Sequence, residues 1–183
     1  MPIDLTRSVL VVLIPGAVGA APWLLWLVLH TEATLGYAEK YLTLANAVSF
    51  AVAVIAGLTF ESLGTWLEVH WDKKRETEFD IKKNWFDYLA SGSGEPVGYR
   101  YLSRLATMFY FELSMLSAVL AFGLGAALLI DGRFPESRTN LWILDGVITV
   151  LLLAYFLFNA QNTHKVLCRT RAELNKRMKP NPQ

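Results

Sequence analysis

The sequence predicts an all-α, polytopic membrane protein with four transmembrane helices, helical extensions beyond the bilayer, and both termini in the cytoplasm. Three observations carry that prediction. Apolar stretches at about residues 8–29, 42–65, 105–130 and 141–160 are each long enough to cross roughly 30 Å of hydrocarbon. Hydrophobic residues make up 54% of the 183-residue chain and charged residues 18%, which excludes an ordinary soluble domain and fits one compact bundle. The basic residues are unevenly placed. Lys73, Lys74, Arg75, Lys82, Lys83, Arg100 and Arg104 lie between spans two and three, and Lys165, Arg169, Arg171, Lys176, Arg177 and Lys179 follow span four. The opposite connections hold only Lys40, Arg133 and Arg138, so the positive-inside rule sets an N-in/C-in topology with two short outer loops.

The first span is interrupted by Pro15-Gly16, Gly19 and Pro22. Each proline removes a backbone donor and favours a kink whose freed carbonyl needs a partner inside the protein. Only Arg7 precedes this span, and its apolar run continues past Ala20 and Ala21 through Trp23 and Trp26 to Leu29, so it reads as an uncleaved helix. In the second span Ala45, Ser49, Ala53 and Gly57 recur every four residues. They form a small-residue ridge on which a neighbouring helix can approach closely. Glu61 is the next member of that series.

The third span starts in the headgroup layer, where Tyr99, Arg100, Tyr101, Leu102 and Arg104 mix aromatic and basic side chains. Three acids sit within the spans. Glu61 and Glu112 fall at comparable depths in the inner half, and Asp145 falls toward the outer side. A charge there is costly, so all three are candidates for an intramembrane polar or ion site. Glu61 with Glu112 could share a proton or a cation; Arg100 or Arg104 could neutralise them as a structural clamp; or they could bond to Thr59, Ser62, Ser114 or Ser117 between helices.

Between spans two and three the apolar set Phe79, Ile81, Trp85, Phe86, Tyr88 and Leu89 returns at helical spacing, with Lys82 and Lys83 near the other face. The spacing predicts an amphipathic helix from Asp72 to Ala90, within a cytoplasmic helical segment 72–96 that ends in the Ser91–Pro96 turn sequence. This is the expected partner or lipid surface, and Glu76, Glu78, Asp80 and Asp87 favour a protein partner over a simple lipid anchor. The fourth span continues through the polar belt Asn159, Gln161, Asn162, Thr163 and His164 into a tail, 161–183, with no helix breaker before Pro180. Phe60-Glu61 with Thr65 is echoed by Phe158-Asn159 with Thr163, as two parallel copies of a helix pair would produce.

No catalytic residue, metal ligand or cofactor is assigned. Cys168 is the single cysteine, which removes intramolecular disulfides and cysteine-cluster metal sites. His164 and Cys168 share a helix face with His70 at a similar level, yet no metalloprotease, nucleophile-elbow or phosphate-loop pattern accompanies them. Basic residues beside a span are explained by topology, so no nucleic-acid partner is expected. The expected partners are membrane lipid, further copies of the chain and a soluble cytoplasmic protein. The whole is read as a small oligomeric inner-membrane subunit: a pore-forming effector, or a membrane sensor, controlled by a cytoplasmic partner. In layout the chain resembles the small four-span effectors and sensors of bacterial antiphage and stress systems; no motif carries that resemblance, and it transfers no residue role. The alternative is a membrane-embedded enzyme or an ion or proton transporter using Glu61 and Glu112. An enzyme would bring acids and a histidine together in one inner cavity, whereas a pore would set polar residues around a symmetry axis.

Overall fold

The computed structural model of the chain describes residues 7–30, 32–83, 87 and 98–178, and every element among them is helical. A π-helical turn, Val9–Leu13, leads into α1, Ile14–His30; then follow α2, Glu32–Lys40, α3, Leu42–Phe79, α4, Tyr99–Arg133, and α5, Arg138–Met178. Four of these helices, the first with its π turn, are long and apolar enough to cross a membrane. At 1.5 Å per residue α3, α4 and α5 reach about 57, 52 and 61 Å, well beyond a hydrocarbon layer of about 30 Å. The end of the bundle holding Arg7, the C-terminal part of α3 and that of α5 is called basal below, and the other end distal.

The π turn sits where the sequence first breaks helical bonding. Ile14 N–H donates to the carbonyl of Val9, five residues back, immediately before Pro15, which has no N–H to give Val11 and whose ring would crowd that carbonyl in a regular α-helix. One residue of slack relieves the conflict, and π turns of this kind are single-turn insertions in α-helices. Past it, Pro15 and Gly16 are buried against α3. A methyl group added at Gly16 would overlap the Ala53 backbone, and one added at Gly57 would overlap the Val12 carbonyl. Of the small-residue ridge, Ala53 and Gly57 are buried and Ala45 and Ser49 half-buried. At Ala53 and Gly57 the helix therefore carries the interrupted first helix of the same chain.

Helix α4 is the centre of the bundle and packs on α1, α3 and α5. One apolar cluster, basal, joins its Leu102, Phe109 and Leu113 to Ala160 and Leu167 of α5, with Leu67 and Trp71 of α3 against it. A second, deeper cluster joins Met115, Ala118 and Val119 to Val18, Phe60, Leu153 and Phe156. Higher up, Trp23 Nε1–H donates to the Ala121 carbonyl at 2.8 Å and ties α1 to α4. Helix α5 packs along α4 and touches α3 little; no residue of its most apolar stretch is buried. The apolar surface of α5 turned away from α4 needs lipid or another protein around it.

Two expectations need correction. The first distal connection is a helix, α2, because Glu32–Lys40 is rich in good helix formers and lacks proline. The helix expected from Asp72 to Ala90 is interrupted after Phe79: residues 72–79 are the last turns of α3, which ends where Asp80 turns left-handed at φ 46° and ψ 48°. Aspartate is one of the few residues that adopts that conformation readily. The Glu76 carboxylate accepts from the Lys82 N–H at 3.3 Å, which holds the reversal, and Ile81 is buried beyond it. Lys82 and Lys83 are exposed. Trp85, Phe86, Tyr88, Leu89 and the side chain of Phe79 lie outside the described residues.

Candidate functional site

Helices α3 and α5 approach each other at the basal end, and a polar chain joins them there. Glu68, Asp72 and Arg75 fall at i, i+4 and i+7 on α3, so one helix face presents all three. Gln161, His164 and Cys168 fall at i, i+3 and i+7 on α5. Asp72 Oδ1 lies 2.8 Å from His164 Nε2, and Arg75 Nη1 lies 2.8 Å from His164 Nδ1. Arg75 also donates to the Gln161 carbonyl at 3.4 Å. The histidine is 1% exposed, with the rings of Phe109 and Trp71 at 5.1 and 5.9 Å.

These contacts settle the tautomer of His164. A guanidinium only donates hydrogen bonds, so Nδ1 must present its lone pair to Arg75. The proton of the neutral ring is then on Nε2 and is donated to the Asp72 carboxylate. A negative group, a neutral ring and a positive group thus form one hydrogen-bonded line across two helices. A second proton on the imidazole would place N–H against N–H at Arg75 and break the line on that side.

Other polar groups surround it. The Tyr110 hydroxyl of α4 donates to the Glu68 carboxylate, and the Arg7 guanidinium lies 5.3 Å from the Tyr110 ring centroid. Arg171 acts electrostatically on both Glu68 and Cys168. Cys168 Sγ is 3.8 Å from His164 Nε2.

Asp72 and His164 bring an acid and a histidine together, but they are not the acids of the enzyme alternative, Glu61 and Glu112, and the chemistry of the arrangement is different. A Cys–His–Asp relay needs the imidazole to face the thiol with one nitrogen and the carboxylate with the other. Here Asp72 and Cys168 both lie on the Nε2 side, that nitrogen carries the proton, and the thiol is buried. A metal ion fits no better. Asp72, His164 and Cys168 offer donor atoms within 4.8 Å of one another, yet a cation on Nε2 would force a proton onto Nδ1 against Arg75 and would lie close to two guanidinium charges. His70, the third ligand that sequence spacing offered, is instead exposed beside the Trp66 ring.

The intramembrane acids are placed apart from this cluster. Glu112 accepts a hydrogen bond from the Thr163 hydroxyl of α5, and its Oε2 is buried without a partner. No bond joins it to Glu61, whose carboxylate is half-buried and unpartnered among the described residues. Of the four hydroxyls considered for them, Thr59 and Ser62 bond back to their own helix, to the carbonyls of Ile55 and Leu58. Ser114 Oγ is buried without a partner. Arg104 is exposed with no ion pair among the described residues, and Arg100 is exposed at the start of α4. Asp145 lies on the α5 face that Leu141 and Thr149 share, near the distal end.

Sequence reasoning missed Glu68, Asp72, Arg75 and Tyr110. The signal available was the matched helical spacing of polar residues on two spans extending past the same boundary. Comparison with known protein families, with curated proteins and with solved structures finds no match, so the functional reading rests on this geometry.

Proposed function

We propose that the protein is a membrane sensor subunit in which the Asp72–His164–Arg75 line is the latch of a two-position basal platform. In the closed position α3 and α5 are held together below the bilayer; in the open position they separate and alter the surface presented to a soluble partner. The observation that carries this reading is a buried histidine whose two ring nitrogens meet Asp72 and Arg75, between two helices that otherwise touch little. Around the latch stand Glu68, Asp72 and Arg75 on α3, Tyr110 on α4, and Cys168 and Arg171 on α5. An inner-membrane location with the basal end in the cytoplasm is supported by the excess of lysine and arginine there. Assembly into a homo-oligomer, as a sensor or as a gated pore in a defence or stress response, is supported by the uncovered apolar face of α5.

The test uses the full chain in lipid vesicles with spin labels at Lys73 and Lys165, both exposed, in a Cys168→Ala background. A single short distance is expected for the parent. His164→Gln should stay short as well, because the amide can donate to Asp72 and accept from Arg75. His164→Lys, which can only donate, should give a longer, broader distribution. A lysine variant with the parent's distance would remove His164 as the latch. The alternative, ion or proton transfer through Glu61 and Glu112, has the unpartnered Glu112 Oε2 in its favour; it predicts that Glu112→Gln abolishes flux into vesicles without changing the label distance.

A further inference from the structure

At the distal end, independent of the latch, two cavities adjoin between α1 and α4. One of about 440 Å³ opens among Trp26, His30, Gly132 and Arg133. The other, of about 460 Å³, opens beside Leu25 and Phe134. Leu29, Leu129 and Arg133 line both. Each has the volume of a small-ligand site, and their linings differ: indole, imidazole and guanidinium groups on one side, leucine and phenylalanine on the other. His30 and Arg133 each lie just past the end of an apolar run, at the level where a bilayer's phosphates would be.

Three basic side chains stand at this end, and their partners differ. Arg138 is paired with Asp131 at 2.8 Å, and Lys40 lies over the Tyr41 ring. Arg133 has no acid beside it among the described residues; it donates one N–H, from Nη2, to the Leu29 carbonyl at 2.8 Å near the C-terminus of α1. That bond has a structural role, since it satisfies a carbonyl in the last turn of the helix. A guanidinium has five N–H donors, so those left can reach an anion in the cavity, and phosphate suits their forked geometry.

We propose that this paired cavity is a binding site for one anionic phospholipid, with its phosphate on Arg133 beside His30 and Trp26, and an acyl chain along Leu25, Leu29 and Leu129. The occupant follows from the linings: a polar chamber with an unneutralised cation opens into an apolar one, and both are open to the layer that supplies such a molecule. A free phosphate would satisfy the first chamber only.

The experiment is native mass spectrometry of the detergent-solubilised full chain with equal amounts of phosphatidylglycerol and phosphatidylcholine. The parent should retain one phosphatidylglycerol in preference to phosphatidylcholine, and excess inorganic phosphate should not displace it. Arg133→Gln should cut retention by about tenfold or more. Gly132→Leu should do the same by filling the cavity, since an added Cβ at Gly132 meets nothing within 4 Å and the Arg133–Leu29 bond is left in place. Lys40→Gln, at the same end but outside both cavities, should bind as the parent does. Equal retention of the two lipids, or unchanged retention in Gly132→Leu, would overturn the site. Displacement by inorganic phosphate would reduce it to an anion site and overturn the lipid assignment. Should Arg133→Gln lose helix content through the missing Leu29 contact, Gly132→Leu still decides the matter.

Discussion

His164 bridges α3 and α5 at the basal end, with both of its nitrogens engaged and its ring beside Phe109 and Trp71. His164→Leu keeps the ring's approximate bulk but leaves Asp72 and Arg75 without their bridge. Leaving such groups unmet costs about 1–3 kcal/mol each when buried; Asp72 is 36% exposed and can recover water, so the lower part of that range is expected. His164→Gln should recover most of the loss. Thermal loss of helix in detergent at neutral pH measures both, and a leucine variant as stable as the parent would mean that the bridge contributes nothing to the fold. The sequence shows this residue only as part of a polar belt. Asp72 and Arg75 were hidden for a physical reason: charges just past a span are expected from topology alone, and nothing in one dimension tells which of them turn inward. Cys168 was legible as a partner of His164 by its four-residue spacing, although which nitrogen faces the thiol is a property of the fold.

Single elements were legible where periodicity decides and less so where a single backbone angle does. Four spans follow from apolar length, and the interruption of the first helix before Pro15 from its prolines. The end of α3 at Phe79 depends on Asp80 turning left-handed, and a helical pattern that runs through that position cannot reveal it. The ridge of Ala53 and Gly57 was visible at its four-residue spacing, but its partner was not: the close neighbours are Val12 and Gly16 of the first helix. Gly57→Ala is expected to destabilise the chain by about 1–3 kcal/mol through overpacking, since the new methyl meets the backbone of the preceding helix and not a side chain that can swing away. Gly57→Leu should be worse, and Leu58→Ala, at a half-exposed position, nearly neutral. Unfolding in mixed detergent, followed by tryptophan emission, ranks the three; an order that puts Leu58→Ala first would mean that the two helices are not in contact.

For the molecule as a whole, the informative asymmetry is between a basal end built from polar contacts and a distal half whose outer faces are apolar. Single cysteines at Lys83 and Ser137, introduced without Cys168, should react with a membrane-impermeant maleimide from opposite sides of the bilayer. In intact cells only the Ser137 variant should be labelled. Labelling at Lys83 instead would invert the chain and move the latch to the other compartment. The number of spans was legible from apolar length. The central position of α4 was not, because its residues resemble those of the other spans in hydropathy and differ only in how many neighbours they meet.

The π turn at Val9–Leu13 fixes the direction of the residues before it. It holds one residue more than an α-helical turn, and that extra residue is absorbed within the turn. Were the same residues to close into an ordinary α-helix, Pro15 would meet the Val11 carbonyl, and the segment before the turn would rotate by about 100°, carrying Arg7 from above the Tyr110 ring toward another side of the bundle. Tyr110 bonds Glu68, and Glu68 precedes Asp72 by one turn. Val9–Leu13 thereby set which way Arg7 points: removing the one absorbed residue leaves that direction nearly unchanged, whereas closing the turn at full length does not.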